Sequence, residues 1–185
     1  MTLPPLSLYI HVPWCIRKCP YCDFNSHKAD ANPPEAEYID ALLTDLDRDL
    51  IWVQGRDIQS IFFGGGTPSL LSATAYERLF VGLQQRLTFA ADIEITLEAN
   101  PGTFEAEKFS AYRQLGINRL SIGIQSFHPE HLQGLGRVHD RDQALRAIEL
   151  AKLAGFDNFN LDLMHGLPNQ TIDQALADLN QALSF

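Results

Sequence analysis

The hydrophobic and polar positions of the chain follow two alternating periods. Residues 6–12 (LSLYIHV) form a short apolar run rich in β-branched and aromatic side chains, which predicts a strand. Residues 35–53 follow the helical period and place Tyr38, Leu42, Leu46, Leu50 and Val53 on one stripe. The first unit is therefore a strand, a loop and a helix.

The same unit recurs along the rest of the chain. Further strands are predicted at 60–63, 94–99, 119–124 and 158–164, and helices at 72–87, 105–115, 140–154 and 171–184. Ser72 and Thr103 are expected to cap helix N-termini, while Gly116 and Gly155 lie just past two C-termini. Buried strands that alternate with helices predict an α/β fold with a parallel sheet, either doubly wound or barrel-like.

Polar and glycine-rich clusters follow the predicted strands. The first strand runs into a cysteine-rich loop. The later strands run into GGGTP (64–68), EANPG (98–102), IQSF (124–127) and HGLP (165–168), with Asp162 on the last strand. Ligands bind at the carboxyl ends of strands in parallel barrels and open α/β sheets. We therefore expect one large site at this edge.

Composition narrows the classes of protein. With 185 residues, 45% hydrophobic and 20% charged, one globular domain is expected. The net charge is -9 and no long basic run is present, so nucleic acid is not an expected partner. No stretch approaches the ~20 apolar residues of a membrane helix, and the N-terminus lacks a signal-peptide pattern. A cytoplasmic location is expected.

All three cysteines lie in one short segment, as Cys15, Cys19 and Cys22. An odd number of clustered thiols cannot form a closed disulfide framework, which favours a metal site. The spacing C-x3-C-x2-C suits three corners of a cubane iron-sulfur cluster whose fourth iron stays open. A Cys3His zinc site completed by His11 or His27 is the alternative.

The GGGTP segment admits two interpretations. Consecutive glycines after an apolar strand let a ligand approach the backbone closely, and they also suit an ordinary βα turn. The segment lacks the pattern of a phosphate-binding loop and that of a dinucleotide-binding fingerprint.

Five segments together resemble the radical S-adenosylmethionine (SAM) superfamily: YIHVPWCIRKCPYCDF, FFGGGTPSLL, LEANPG, RLSIGIQSF and LDLMHGLPNQT. They are most similar to the branch that contains oxygen-independent coproporphyrinogen III oxidase and a related heme chaperone. The resemblance runs from Tyr9 to about Thr171. It implies a partial (β/α) barrel of about five βα units, with residues 1–185 as the N-terminal part of the core domain and the last barrel unit and C-terminal domain absent.

The resemblance also implies roles for individual residues. Cys15, Cys19 and Cys22 would ligate a 4Fe-4S cluster, and the open iron would take the amino and carboxylate groups of SAM. The residues that match the SAM-binding positions of the family are Tyr9, Tyr21, Gly65, Gly66, Thr67, Glu98, Gln125, Arg137 and Asp162.

Phe24 separates the two branches of the family. In the oxidases a fourth cysteine follows two residues after the third, and Phe24 occupies that position here. The continuation CDFNSH resembles the chaperones, which carry heme as cargo and deliver it to heme proteins such as respiratory enzymes. We therefore expect a heme chaperone rather than a coproporphyrinogen oxidase, with a zinc-binding structural module as a third hypothesis. Whether the chain is an enzyme stays open.

Two further expectations concern heme and self-association. Single histidines are more often ordinary hydrogen-bonding residues than heme ligands; those considered are His128, His131, His139 and His165. An incomplete barrel would leave an apolar flank through which two copies could associate.

Overall fold

The computed structural model describes residues 3–185. Its strands are β1 (Leu6–Val12), β2 (Trp14–Cys15), β3 (His27–Lys28), β4 (Ile58–Gly65), β5 (Phe89–Ala99), β6 (Arg119–Gln125) and β7 (Phe159–Leu163). Its α-helices are α1 (Glu35–Asp49), α2 (Ala73–Gln84), α3 (Ala106–Gln114), α4 (Pro129–Gly134), α5 (Arg141–Leu153) and α6 (Ile172–Leu183). Short 3-10 helices lie at Leu50–Trp52, Pro68–Leu70 and Pro101–Thr103.

The main sheet has five parallel strands in the order β1-β4-β5-β6-β7. This spatial order is the chain order. A doubly wound sheet instead reverses direction at a switch point. Successive crossover helices pack against one another, as α1 does on α2, α2 on α3 and α3 on α5. The predicted α/β partial barrel is confirmed.

The two faces of the sheet differ in polarity because successive side chains of a strand point to opposite faces. Ile10, Phe63, Leu97 and Ile122 belong to the buried core between the sheet and the helices. Alternate positions carry polar side chains, and the register places them side by side: Ser7 beside Ser60, Ser60 beside Glu94, Glu98 beside Ser121 and Ser121 beside Asn160. The face opposite the helices is therefore polar.

Most helix ends agree with the sequence prediction. Ser72 caps α2, because its Oγ accepts a hydrogen bond from the Ala75 amide at 3.1 Å. Gly116 and Gly155 follow α3 and α5 with φ of 106° and 86°. The prediction for Thr103 is wrong: the N-cap position of α3 is Glu105, whose side chain makes no capping hydrogen bond. Thr103 ends a 3-10 turn instead, and its hydroxyl donates to the Asn100 carbonyl at 2.7 Å.

An apolar groove runs beside β7, which pairs with β6 on one side only within residues 3–185. The groove has a volume of about 820 Å³ and includes Phe159, Leu161, Leu179 and Leu183. The α6 side chains Leu179 and Leu183 are 51% and 83% exposed. Self-association through this edge stays a prediction. No helix within the described residues is long and apolar enough to span a membrane.

Candidate functional site: a thiol-lined cavity at the carboxyl edge of the sheet

The cysteine loop between β1 and α1 is closed at its base by a small parallel ladder. The strands β2 and β3 pair there, with the His27 amide donating to the Pro13 carbonyl at 2.7 Å. The Ala29 amide donates to the Cys15 carbonyl at 2.8 Å. Two residues per strand are too few for a periodicity argument, and the sequence did not predict this pairing. It fixes both ends of the loop that carries the thiols.

The glycine segment at the end of β4 holds the start of this loop. The Gly66 amide donates to the Val12 carbonyl, and the Thr67 amide donates to the Trp14 carbonyl, both at 2.6 Å. A Cβ on Gly66 would lie 2.6 Å from the Trp14 carbonyl oxygen. Glycine is therefore required at position 66 because the end of β4 packs closely against the backbone of the cysteine loop. Gly66 also borders the cavity described next.

A cavity of about 250 Å³ opens at the carboxyl ends of the strands. Its lining includes the three cysteines and every other predicted site residue except Tyr9: Tyr21, Gly65, Gly66, Thr67, Glu98, Gln125, Arg137 and Asp162. These residues come from six separate segments of the chain. The fold brings them together because the carboxyl ends of parallel strands meet at one edge.

Tyr9 lies outside the lining of this cavity. Its hydroxyl makes a 2.9 Å hydrogen bond with His11 Nδ1, and its ring stacks on Phe62 with 6.3 Å between centroids. Burial, followed by the nearby Glu98 carboxylate, raises the pKa of Tyr9. The side chain therefore lies on the polar sheet face, near Glu98 but outside the cavity lining.

Two carboxylates line the cavity close to each other. Burial, with a contribution from Asp162, raises the pKa of Glu98 even though the Gly65 amide donates to its Oε2 at 3.2 Å. Burial also raises the pKa of Asp162, which accepts hydrogen bonds from Ser121 Oγ at 3.1 Å and Asn160 Nδ2 at 2.6 Å. These carboxylates can accept hydrogen bonds from a polar ligand such as a sugar.

Arg137 supplies a cation to the same cavity from the loop between α4 and α5. Its Nη2 donates to the Gly123 carbonyl at 2.8 Å. Its Nη1 lies 3.7 Å from Cys19 Sγ and donates to the Tyr21 hydroxyl at 3.3 Å. The guanidinium therefore connects the end of β6 with the cysteine loop.

The donor set fits an iron-sulfur cluster better than a single zinc ion. Among residues 3–185, no group of His, Cys, Asp and Glu side chains converges as a site for one metal ion. In a cubane each thiolate binds a different iron, so the sulfurs have to surround a space rather than meet at a point. Both ring nitrogens of His11 are already engaged, with Tyr9 and with the Asn25 carbonyl at 2.8 Å. His27 is exposed on β3.

The histidines considered as heme ligands differ in accessibility. His131 and His139 are only 6% and 3% exposed. His139 also contacts the Ile124 carbonyl and Asn100 through its ring nitrogens, at 3.1 and 3.3 Å. His128 is partly exposed and His165 is exposed. Of these side chains, the last two are accessible to an external ligand without rearrangement.

Several cavity residues were not predicted as site residues, among them Asn100, Ser121 and Gly123. Ser121 and Gly123 alternate with Gln125 along β6. Because alternate side chains of a strand point to the same face, Ser121 and Gly123 could have been predicted as site residues from the position of Gln125. Asn100 immediately follows β5, at the same edge.

The loop after β6 is fixed by a buried carboxylate. Asp178 of α6 is 2% exposed and accepts hydrogen bonds from Ser126 Oγ and the Phe127 amide, both at 2.7 Å. The preceding residue, Gln125, has a φ of 68°, which is uncommon outside glycine. Helix α6 therefore helps to set the backbone next to the cavity.

This fold and this thiol-lined cavity define the class of protein. The sequence model of the radical SAM superfamily matches residues 9–182, and the chain belongs to this superfamily. Within it, the solved structure of coproporphyrinogen III oxidase (HemN) from Escherichia coli, described as a radical SAM enzyme, superposes with a TM-score of 0.87 and 32% identity. The match covers 97% of this chain and 42% of that one. The fold is thus the HemN-like partial barrel.

Within the superfamily, the chain is also similar to curated heme chaperones. The chain is 57% identical over 183 residues to the heme chaperone HemW of Escherichia coli (strain K12), covering 99% of this chain and 48% of that protein. It is 56% identical over 187 residues to the heme chaperone HemW of Haemophilus influenzae, covering 99% and 49%. The chain therefore spans about half the length of the curated relatives it matches. Proteins of the radical SAM superfamily use a 4Fe-4S cluster and SAM, and the three cysteines for such a cluster are present.

Proposed function

We propose that this chain carries the cluster and SAM site of a heme chaperone. The observation that carries the proposal is that three thiols from one loop share a cavity with predicted SAM-binding residues of five other segments. The similarity to HemW proteins over almost the whole chain supports the chaperone assignment. Heme would be the cargo, and its acceptors would be heme proteins such as respiratory enzymes.

In this proposal Cys15, Cys19 and Cys22 would each hold one iron, and the fourth iron would be left for SAM. A bound, reduced cluster would supply one electron to the sulfonium of SAM, which is the chemistry of the family. The chain presents the thiols on a loop closed by the ladder between β2 and β3, which holds Cys15 in place before the cluster is inserted. This preorganisation lowers the entropy lost on binding.

The polar side of the cavity would hold SAM. Glu98 and Asp162 are partly buried acceptors suited to the ribose hydroxyls. The segment Gly65, Gly66 and Thr67 would contact the methionine end, as it does in the family. Gln125 would add an amide donor and acceptor from the end of β6. Of the remaining matched residues, Tyr21 and Arg137 line the same cavity, whereas Tyr9 lies outside its lining.

Coproporphyrinogen III oxidase is the second candidate because of the close superposition on HemN. Phe24 argues against it. This side chain is 59% exposed, lines the cavity and occupies the position at which the oxidases carry a fourth cysteine. A phenyl ring offers no metal ligand, so the cysteine pattern of the oxidases is incomplete. The higher identity to HemW proteins points the same way.

An assay with two substrates separates these candidates. The chain is reconstituted anaerobically with iron and sulfide and then given either hemin or coproporphyrinogen III with SAM and a reductant. In the full-length protein we expect a hemin complex with a Soret band and transfer of hemin to an added apocytochrome. We expect no release of carbon dioxide from coproporphyrinogen III. Decarboxylation that depends on SAM, or failure of the full-length protein to bind hemin at all, would contradict the chaperone assignment.

The variant Phe24→Cys serves as a control for this assay. It restores the fourth cysteine of the oxidases at an exposed position. If Phe24 alone separated the two functions, this variant would decarboxylate coproporphyrinogen III. We expect no turnover, because a single thiol does not supply the substrate-binding surface of an oxidase.

A further inference from the structure

Arg137 is a cation of the cavity that reaches a cysteine thiol from outside the cysteine loop. The two cations that line it are Arg17 and Arg137. Arg137 Nη1 lies 3.7 Å from Cys19 Sγ, which is hydrogen-bonding distance for a sulfur acceptor. Within residues 3–185, Arg17 makes no hydrogen bond to a cysteine. Arg17 and Arg137 therefore carry the same charge and line the same cavity, but only Arg137 contacts Cys19.

The contact is built into the fold from both sides. The preceding residue, Gly136, has a φ of 67°, and a Cβ there would lie 3.0 Å from Cδ of Pro20. The cysteine loop thus packs directly on the backbone next to Arg137. On the other side, Arg137 Nη2 is fixed by the Gly123 carbonyl at 2.8 Å. A guanidinium held in this way keeps its Nη1 directed at Cys19 and Tyr21.

His139 fixes the same segment two residues further on. Its Nε2 lies 3.1 Å from the Ile124 carbonyl, next to the carbonyl that Arg137 uses. Burial, followed by the charge of Arg137, lowers the pKa of His139 to about 4. The imidazole is therefore neutral at neutral pH. The positive charge that this segment brings to the cysteine loop comes from Arg137.

A charged N–H donor at a cluster thiolate has a defined electronic effect. Reduction adds negative charge to the cluster, and hydrogen bonds to its sulfurs are among the factors that set its potential. Arginine stays protonated under all ordinary conditions, so its contribution is permanent. Its stabilisation of the reduced form is greater than that of the oxidised form, because the reduced cluster carries more negative charge.

We propose that Arg137 donates an N–H···S hydrogen bond to Cys19 when that thiolate holds the cluster, and thereby raises the reduction potential of the cluster. The proposal rests on the proposed cluster site. It assigns Arg137 as a positioning and tuning residue of the cluster, whereas the resemblance assigns it to SAM alone. The two roles differ in a measurable way, because only the first operates without SAM.

The experiment compares wild-type protein with Arg137→Met, Arg137→Lys and Arg17→Met after anaerobic reconstitution. Each sample is reduced stepwise with dithionite in the presence of redox mediators, and the reduced cluster is quantified by electron paramagnetic resonance without SAM. Iron and sulfide per chain are measured for every sample. The variant Arg17→Met removes the same charge from the same cavity without removing a bond to Cys19.

We expect Arg137→Met to lower the ratio of reduced to oxidised cluster about tenfold at a fixed potential, which is 59 mV for a one-electron couple. Arg137→Lys should give a smaller shift in the same direction, since lysine keeps the positive charge but lacks the two-pronged N–H donors of a guanidinium. Arg17→Met should shift the ratio less than either. If Arg137→Met does not assemble a cluster, Arg137→Lys provides the measurement.

Two results would overturn the inference. The first is a shift in Arg137→Met no larger than that in Arg17→Met. The second is a shift that appears only after SAM is added, which would make Arg137 a ligand of SAM and not a donor to Cys19. A wild-type chain that holds no cluster would instead contradict the proposed function, so the two failures are distinguishable.

Discussion

Gly65 lies directly against the imidazole of His11. The residue has a φ of 112°, and a Cβ added to it would lie 2.5 Å from His11 Cε1. The ring cannot easily give way, because both of its nitrogens are engaged. The end of β4 therefore lies so close to the end of β1 that there is no room for a side chain at position 65.

Gly65→Ala should destabilise the fold by about 2–4 kcal/mol, since it combines a backbone conformation unfavourable for L-residues with a clash against a fixed ring. Urea unfolding followed by circular dichroism measures the change. Gly134→Ala is the matched control: no atom lies within 4 Å of its Cβ and it ends α4. A change below about 1 kcal/mol is expected there. Equal effects in both variants would contradict this account of Gly65.

Asp178→Ala should lower the free energy of unfolding by about 2–4 kcal/mol, because it leaves the Ser126 hydroxyl and the Phe127 amide buried without their charged acceptor. The exposed acid Asp173 lies on the same helix, and Asp173→Ala should cost less than about 1 kcal/mol. Thermal unfolding measures both. If the two acids cost the same, the loop after β6 does not depend on α6.

His139→Asn should flatten the dependence of stability on pH between about 4 and 6.5. The pKa of His139 is lowered from 6.5 to about 4 in the folded chain, so the unfolded chain binds more protons in this window. Stability from this group is therefore present above pH 6.5 and is lost as the pH falls toward 4. The loss amounts to about 3 kcal/mol.

The measurement for this prediction is the difference in unfolding free energy between variant and wild type at several pH values. Taking the difference cancels the contributions of the carboxylates that titrate in the same range. A difference that stays constant from pH 4 to pH 7 would contradict the assignment of His139 as a buried neutral imidazole.

Leu179→Gln together with Leu183→Gln should weaken self-association if two copies meet at the groove beside β7. Sedimentation velocity over a range of concentrations measures the association. The control is Leu153→Gln, because Leu153 is 81% exposed but does not line the groove. A monomeric wild-type chain, or equal weakening by the control, would contradict the prediction that two copies associate through the groove beside β7.

The order of strands and helices was predictable because the hydrophobic period changes clearly along the chain. The strand at 6–12 and the helix at 141–153 agree with the prediction to within about one residue. The short ladder between β2 and β3 and the six-residue helix α4 were not predicted, since neither is long enough to show a period. Thr103 was misassigned because a 3-10 turn precedes α3.

The site was predictable as a set of motifs but not as contacts. The position of each motif after a strand placed the cysteines, Glu98 and Asp162 at one edge. The hydrogen bond between Asp178 and the loop after β6 depends on tertiary packing of residues about 50 positions apart, for which the sequence carries no local signal. The position of Tyr9 outside the cavity lining depends likewise on its contacts with His11 and Phe62.

The most direct test of the central claim is the electron paramagnetic resonance spectrum of the anaerobically reconstituted and reduced chain, recorded with and without SAM. Metal analysis of the same samples gives iron and zinc per chain. We predict about four irons per chain, a cubane signal that changes when SAM is added, and loss of that signal in Cys19→Ala. One zinc per chain without a cluster signal would contradict the account and leave an α/β domain with a zinc site.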